Sequence, residues 1–252
     1  MRTIPDHTRR SSGPLTHARG YGTPELRLIG SSPDLRRSYE SLMSSLHLQN
    51  GTRPLKSLLL TSAQPEEGKT TVAIGLALAL VRAGKRVLLV DADLRRPALH
   101  RVFGLENNKG LGEVLAGDIA GTASRYEIPI PDVGNGPPRS LYLITSGRSS
   151  ARLLATIQST VLLDTIRGFA TEHDFVLVDS PPLLSVSDSM LLASAVDGVI
   201  LILRTGLVRE VDARCAMERL SRTGGRVLGV VMNRFDATLH GRELHPYRDY
   251  YE

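Results

Sequence analysis

Residues 61–71 read TSAQPEEGKTT, and this stretch decides how the rest of the chain is interpreted. The apolar run SLLL precedes it and the apolar run VAIGLALALV follows it. A loop that ends in Gly-Lys-Thr between a strand and a helix is typical of phosphate-binding loops, whose usual pattern is G-x-x-x-x-G-K-[ST]. This chain has Ala63 where that pattern has its first glycine, so the surrounding sequence must decide whether the loop is genuine.

Strand and helix patterns alternate along the chain. Runs such as RVLLV and FVLVD are continuously apolar, which is typical of strands that are covered on both faces. Strand–helix alternation favours a parallel sheet. The sequence therefore predicts an α/β fold, a doubly wound, mostly parallel sheet of the P-loop NTPase type with helices on both faces. The predicted strands are 57–61, 86–90, 141–145, 175–178, 199–203 and 227–232, and the predicted helices are 33–48, 70–83, 152–172 and 210–222, with short helical pieces in 97–117.

Two finer predictions concern the parts of the chain outside the strands. Residues 121–140 are rich in Gly and Pro and are predicted to form a surface loop. In the helix at 210–222, the spacing predicts that Val211, Ala216 and Leu220 face inward.

Composition limits the class of protein. The 252 residues are 41% hydrophobic without any Trp, and the formal net charge is +5. A single cysteine, Cys215, excludes an intramolecular disulfide and suits a reducing compartment. Neither a secretory leader nor an apolar run of the roughly 18 residues needed to span a bilayer is found. These features predict a soluble, cytoplasmic protein.

The chain divides into three parts by composition. Residues 1–34 are rich in Arg, Ser, Pro, Thr and Gly and are predicted to be a disordered basic tail. Residues 35–240 carry the strand and helix patterns and are predicted to be the nucleotide-binding domain. Residues 241–252 are predicted to be a flexible tail that contains tyrosines.

Acidic side chains follow two of the predicted strands. Asp91 and Asp93 end the run VLLVDAD, and Asp179 ends FVLVD. Ligands of such sheets bind at the carboxyl ends of the strands, and a buried carboxylate needs a cation or a hydrogen-bond partner. A nucleotide with Mg²⁺ would supply one, with Lys69 on the phosphates and the Thr70 hydroxyl on the metal. The alternative is that these aspartates cap the turns that follow them.

With these residues in view, the sequence resembles the bacterial tyrosine kinases (BY-kinases). These are the cytoplasmic kinase partners of polysaccharide co-polymerases, within the deviant P-loop group of septum-site and partition ATPases. Three motifs carry the resemblance: T-S-x-x-P-x-E-G-K-T-T at 61–71, apolar-D-A-D-x-R with a trailing R-P at 88–97, and apolar-D-S-P-P at 176–182. The family also lacks the leading glycine. The partition ATPases have a second lysine where this chain has Gln64, which argues against that subgroup.

The resemblance implies roles for the motif residues. ATP and Mg²⁺ are the implied cofactors, with Lys69, Asp91 and Asp93 catalytic and with one of the two aspartates orienting or deprotonating the attacking tyrosine. The implied metal ligands are Thr70, Asp91 and Asp179. The implied nucleotide-binding residues are Gln64, Pro65, Glu67, Gly68, Lys69, Thr70, Thr71, Arg95 and Asn233. For Asn233, an ordinary strand-end role is the open alternative to contact with the adenine base.

The end of the sequence reads HPYRDYYE and resembles the family's autophosphorylation tail. The implied phosphoacceptors are Tyr247, Tyr250 and Tyr251, used in trans by a neighbouring copy. The implied partners are a membrane-anchored co-polymerase that acts as activator, further copies of this chain, and a cognate tyrosine phosphatase, with no specific nucleic acid. A partner of that kind would bring the protein to the inner face of the plasma membrane.

Some positions depart from the family pattern. Arg37, Glu40 and Met43 stand where the family usually has Glu-x-x-Arg-x-x-Arg, a pattern used in ring assembly, so two charges are reversed and one is lost. Glu66 stands where the family often has Gly or Ser. A side chain at that position restricts the backbone and adds negative charge beside the phosphates.

Three functions follow from these observations. The first is an ATP-dependent protein-tyrosine autokinase that regulates capsular or exopolysaccharide biosynthesis and export. The second is a nucleotide-dependent regulatory subunit with little kinase activity, favoured by Glu66 and the altered helix. The third is a partition-type ATPase, disfavoured by Gln64 and by the Asp-Ser-Pro-Pro motif.

Overall fold

A seven-stranded sheet with helices on both faces forms the centre of the molecule. The computed structural model describes residues 33–49, 54–119, 124–130, 139–148 and 159–234. The described strands are β1 (Ser57–Ser62), β2 (Val87–Asp91), β3 (Arg125–Ile130), β4 (Arg139–Ile144), β5 (Phe175–Asp179), β6 (Gly198–Arg204) and β7 (Val227–Asn233). The described helices are α1 (Pro33–Leu48), α2 (Lys69–Arg82), α3 (Leu99–Phe103), α4 (Leu111–Ala116), α5 (Ser159–Glu172), α6 (Asp188–Ser194) and α7 (Glu210–Ser221).

The strand order is β3-β4-β2-β5-β1-β6-β7, and all neighbours are parallel except β3 and β4. The predicted doubly wound, mostly parallel sheet is therefore confirmed. Every residue of β1, β2 and β5 is buried, because helices cover both faces of these central strands. The continuous apolar runs in the sequence reflect this burial. The register pairs Asp91 at the end of β2 with Asp179 at the end of β5.

Helix α2 lies in the apolar layer on one side of the sheet, and α1 packs against it. A close approach at Gly75 joins the two helices, since a Cβ at this position would overlap the Tyr39 ring. The Tyr39 hydroxyl donates to the backbone oxygen of Thr71 at 3.4 Å. Burial raises the pKa of Tyr39 to about 12. The helix that precedes the first strand is thus part of the core rather than an appendage.

Gly75→Ala is expected to destabilise the protein by about 1–3 kcal/mol, because the added methyl group would force the Tyr39 ring out of its position. Gly168→Ala is a matched control within α5. A Cβ there meets no atom within 4 Å, and alanine favours a helix over glycine by about 1 kcal/mol. Urea unfolding of both variants would measure the two effects. A Gly75→Ala variant as stable as the Gly168→Ala variant would contradict the close packing of α1 on α2.

The prediction of a surface loop at 121–140 is wrong where the structure describes this region. Residues 125–130 form the antiparallel edge strand β3, and 139–140 belong to β4. Tyr126, Ile128 and Ile130 alternate with less buried residues along β3. This alternation of period two is the signal of a strand with one buried face, and Pro129 is tolerated because β3 lies at the edge of the sheet.

Two smaller differences concern helices. Val211 was predicted to face inward but its side chain is 61% exposed, whereas Ala216 and Leu220 are buried as predicted. Val211 lies five residues before Ala216, a spacing that puts the two on different faces of α7. Helix α6 was not predicted at all, because its seven residues are too few to show a helical period.

The proposed tails 1–34 and 241–252 lie almost entirely outside the described residues, and α1 begins at Pro33. Within the described part of the chain, no helix combines the length and the apolar character that crossing a membrane requires.

Candidate functional site

The loop between β1 and α2 ends at Gly68, which precedes the first helical residue Lys69 and has φ 87°. This left-handed conformation favours glycine. No acidic residue occupies the first turn of α2, so the free N–H groups and the positive end of the helix dipole are not neutralised from within the helix. A helix N-terminus of this kind binds phosphate.

Glu67 holds the loop in shape from inside. Its buried carboxylate accepts the backbone N–H of Gln64 at 2.7 Å, and the N–H of Arg204 lies 3.4 Å from its other oxygen. Burial raises the pKa of Glu67. Glu66 has φ 65° and its backbone oxygen accepts from the Arg204 guanidinium at 3.3 Å. The expected restriction at Glu66 is therefore real, and contacts with β6 stabilise the loop without the usual leading glycine.

Asn233, the last residue of β7, lies against the same loop. Its side-chain Nδ2 donates to the backbone oxygen of Glu67 at 2.8 Å, and its Oδ1 accepts the N–H of Arg234 at 2.9 Å. A Cβ on Gly68 would overlap Asn233 Nδ2, so a larger residue here would displace the Asn233 amide in addition to straining the backbone. The contacts place Asn233 at the loop; its contact with a base stays a prediction.

Asp179 and Thr70 meet below the loop. The Thr70 hydroxyl donates to Asp179 Oδ2 at 2.6 Å. The other carboxylate oxygen, Oδ1, is buried and has no hydrogen-bond partner in the structure. Burial raises the pKa of Asp179 to about 6, while the charge of Lys69 opposes the shift. A buried, unpartnered carboxylate oxygen costs free energy unless a cation or a donor reaches it.

Asp91 has different contacts. Its Oδ2 accepts the backbone N–H groups of Ala98 and Leu99, both at 3.0 Å, and its Oδ1 accepts the N–H of Asp93 at 3.2 Å. The residue is completely buried. Burial, and then the charge of Asp179, raise the pKa of Asp91 to about 7. These contacts are those of a residue that organises the chain before α3, the capping role that the sequence left open.

Asp93 is the carboxylate that faces Lys69. Its Oδ2 lies 3.6 Å from Lys69 Nζ, with side-chain exposures of 7% and 14%. Its Oδ1 accepts the backbone N–H of Arg96 at 2.9 Å. Both side chains line a cavity of about 410 Å³ beside the loop, which the structure forms from Pro65, Glu66, Lys69, Asp93, Arg95, Arg96, Pro181, Pro182, Ser185 and Val186.

Arg95 lies on the rim of this cavity and is held by Asp188 at the start of α6. The Arg95 Nε donates to Asp188 Oδ2 at 2.8 Å, and its NH2 lies 3.5 Å from Oδ1. Asp188 is buried, whereas Arg95 is partly exposed. The ion pair gives Arg95 a structural role, and the residue also lines the cavity beside the phosphate-binding loop, so its contact with a nucleotide stays a prediction.

The residues present fit a magnesium–nucleotide complex. Asp179 Oδ1 is an unused buried oxygen next to the Thr70 hydroxyl, and Mg²⁺ prefers one or two carboxylates together with substrate phosphates and water. Among the described residues, no group of three or more His, Cys, Asp or Glu side chains forms a complete metal site. Both oxygens of Asp91 already accept backbone N–H groups, whereas Asp179 Oδ1 accepts none, so Thr70 and Asp179 are the better candidates.

The sequence missed several residues of the site. Asp188 holds Arg95, and Arg204 supports the loop. Asp188 belongs to no recognisable motif, and only the fold brings the two residues to the site. Arg96 was visible as part of the trailing R-P motif, and its position on the cavity rim is new information.

The comparisons with known proteins agree with this geometry. Residues 58–251 match the family model described as the CobQ/CobB/MinD/ParA nucleotide binding domain. The chain is 31% identical over 212 residues to the tyrosine-protein kinase YwqD of Bacillus subtilis, which covers 84% of this chain and 83% of that protein. The chain belongs to the bacterial tyrosine kinases.

The fold comparison gives the same family. The kinase domain of the Escherichia coli tyrosine kinase Etk superimposes with a TM-score of 0.72 at 27% identity, covering 86% of this chain and 84% of that one. The cell division ATPase MinD of Pyrococcus furiosus superimposes less closely, with a TM-score of 0.58 at 25% identity over 71% of this chain. The partition-type alternative is therefore the more distant of the two resemblances.

The altered helix pattern of this bacterial tyrosine kinase can be located on α1. Arg37 and Glu40 are exposed, whereas Met43 is half-buried and packs against the core. The third position of the pattern therefore serves packing here. The candidate acceptors Tyr247, Tyr250 and Tyr251 lie outside the described residues.

Proposed function

We propose that this chain is an ATP-dependent protein-tyrosine autokinase that phosphorylates its own C-terminal tyrosines in trans. The observation that carries the proposal is the Lys69–Asp93 pair at 3.6 Å on the wall of the 410 Å³ cavity beside the phosphate-binding loop. A cation and a carboxylate side by side, next to a place for phosphate, are what transfer to a hydroxyl group requires.

The chain's own residues divide the work as follows. The N–H groups at the start of α2 and Lys69 Nζ would bind the β- and γ-phosphates and offset the charge that builds up on the transferred group. Thr70 and Asp179 would hold Mg²⁺, which supplies further charge neutralisation when bound. Asp93 would accept the proton of the tyrosine hydroxyl. The tyrosine oxygen forms the new bond to the γ-phosphorus, and the bond from that phosphorus to the bridging oxygen of ADP breaks.

Of the two aspartates of the motif, Asp93 is the better candidate for the base. Its Oδ2 lines the cavity, whereas both oxygens of Asp91 already accept backbone N–H groups and the residue is fully buried. A proton acceptor must reach the hydroxyl that it deprotonates. Asp91 would act by fixing the backbone that carries Asp93.

The cellular role that fits a bacterial tyrosine kinase of this kind is regulation of capsular or exopolysaccharide biosynthesis and export. The partner would be a membrane-anchored co-polymerase that activates the kinase and holds it at the inner face of the plasma membrane. Each phosphate adds nearly two negative charges to the tail. These charges would weaken binding of the tail to the acidic site of a neighbouring copy and so favour its release.

The alternative is a nucleotide-dependent regulatory subunit with little kinase activity. Glu66 favours this reading, because its carboxylate adds negative charge to the cavity wall beside the phosphate-binding loop. Phosphate incorporation separates the two readings, since both require nucleotide binding.

The deciding experiment is incubation of the full chain with Mg-ATP, followed by intact-mass and peptide mass spectrometry. The expected result is phosphotyrosine on residues 241–252 that disappears when Tyr247, Tyr250 and Tyr251 are changed to Phe and falls strongly in Asp93→Asn. The cytoplasmic segment of a neighbouring co-polymerase is added in a parallel sample. Nucleotide binding without phosphotyrosine in either sample would establish the regulatory alternative.

A further inference from the structure

The lining of the cavity carries side chains of both charges. The exposed ones are those of Glu66, Arg95 and Arg96. Arg95 is paired with the buried carboxylate of Asp188, so most of its charge is offset within the chain. The uncompensated charges of the rim are therefore those of Arg96 and Glu66.

The backbone of Arg96 is held by a hydrogen bond, whereas its side chain is free to bind a ligand. Its N–H donates to Asp93 Oδ1 at 2.9 Å, which ties the residue directly to the candidate base. Its side chain is exposed, and its guanidinium makes no ion pair with any residue that the structure describes. An exposed arginine held beside the reacting groups is suited to bind a carboxylate that arrives with the acceptor.

The Glu66 side chain is likewise free to bind a ligand. Its backbone oxygen accepts from Arg204, but among the described residues its exposed carboxylate has no ion-pair partner. The residue keeps a left-handed φ of 65°, a conformation that is strained for a residue other than glycine. Its side chain is exposed, so burial in the core does not explain why glutamate rather than glycine stands here.

The acceptor sequence has the complementary charges. In HPYRDYYE the basic residue Arg248 and the acidic residue Asp249 are neighbours, and Glu252 follows the tyrosine pair. A segment with one positive and two negative side chains around its tyrosines is complementary in charge to a rim that presents both Arg96 and Glu66. Electrostatic complementarity of this kind sets specificity and register.

We propose that Arg96 and Glu66 select the acceptor segment, with Arg96 binding the carboxylates of Asp249 and Glu252 and Glu66 binding the guanidinium of Arg248 of a second copy of this chain. This inference rests on the proposed autokinase function and adds the residues that determine its peptide specificity. The occupant is an extended peptide of mixed charge.

Peptide binding tests the proposal without requiring turnover. A fluorescent peptide of residues 241–252 is titrated by fluorescence anisotropy against the full chain, in the presence of an ATP analogue with a non-transferable γ-phosphate. All proteins carry Asp249→Asn and Glu252→Gln, so that their own tails compete weakly. Arg96→Gln is expected to weaken binding about three- to fivefold. The control Arg222→Gln removes an exposed charge at the end of α7 and is expected to change nothing.

A charge exchange gives the sharper result. Arg96→Glu is expected to weaken binding of the native peptide about tenfold, and a peptide with Asp249→Lys is expected to recover at least half of that loss. Glu66→Gln is expected to weaken the native peptide by about threefold and to leave a peptide with Arg248→Gln unaffected.

Several outcomes would overturn the proposal. One is a native peptide that does not bind, or that binds Arg96→Gln as tightly as Arg222→Gln. Another is a loss of affinity for the ATP analogue in Arg96→Gln with no change for the peptide, which would assign Arg96 to the nucleotide. Failure of the autokinase function looks different, since the full chain would then make no phosphotyrosine while peptide binding still depended on Arg96.

Discussion

Lys69→Met is expected to reduce autophosphorylation by about a thousandfold or more. Lys69 Nζ lies 3.6 Å from Asp93 Oδ2 in a site where both side chains are nearly buried, so its charge acts on the phosphates with little screening by water. Loss of one such group typically costs about 10²–10³ in rate at an oxyanion site, and more at a phosphoryl site. Methionine has a similar length and no charge, so the variant isolates the electrostatic contribution.

The measurement is the initial rate of phosphotyrosine formation, together with nucleotide affinity and the urea unfolding curve. Lys109→Met is the matched control, because Lys109 is exposed in the segment between α3 and α4 and lies outside the cavity lining. The control is expected to keep its full rate. A Lys69→Met variant with more than a tenth of the wild-type rate would show that phosphate is bound elsewhere.

Much of the fold could be predicted from the sequence, because strands that are buried on both faces consist of continuous apolar residues. The central strands are buried along their whole length, so their apolar runs are continuous and easy to recognise. The loop and the aspartates that follow β2 and β5 were also predictable, since parallel strands bring their carboxyl ends to one edge of the sheet. The pairing of β2 with β5 and the register of Asp91 opposite Asp179 are given only by the structure.

What could not be predicted depends on contacts between distant parts of the chain. The sequence does not distinguish Asp91 from Asp93, because the difference lies in which backbone N–H groups and which cation each one meets. The pairing of Arg95 with Asp188 is of the same kind, since the partners are 93 positions apart in the sequence. At β3, Gly and Pro content was given more weight than the alternation of Tyr126, Ile128 and Ile130, and an edge strand was missed.

The buried carboxylates also predict how stability changes with pH in the protein without nucleotide or metal. Burial raises the pKa of Asp179 to about 6 and that of Asp91 to about 7, whereas in the unfolded chain both are near 3.9. Between pH 4 and 7 the folded state therefore holds protons that the unfolded chain has released. The contribution of these groups to the free energy of unfolding is present in full below pH 4 and is lost as pH rises to 7.

Asp179→Asn is expected to remove part of this loss. The substitution deletes one raised pKa, and it also removes a charge that raises the pKa of Asp91. At pH 8 the variant should be more stable than the wild-type protein by on the order of 3 kcal/mol, because a shift of about two pKa units corresponds to roughly that free energy. At pH 4 the two proteins should be nearly equal, since the wild-type carboxyl is then protonated.

Urea unfolding in EDTA at pH 4, 6, 7 and 8 measures the effect as the difference between variant and wild type. The difference is needed because His100 and His173 have lowered pKa values through burial and act in the opposite direction near pH 6. Asp118→Asn, at an exposed position after α4, is the control and should show no such trend. A variant less stable than the wild type at pH 8 would mean that the Asp179 carboxylate is compensated in the free protein. In that case the unpartnered Oδ1 of Asp179 would not support a bound cation. If the variant is more stable than the wild type at pH 8, as expected, the site carries an unfavourable negative charge that binding of Mg²⁺ and nucleotide would relieve.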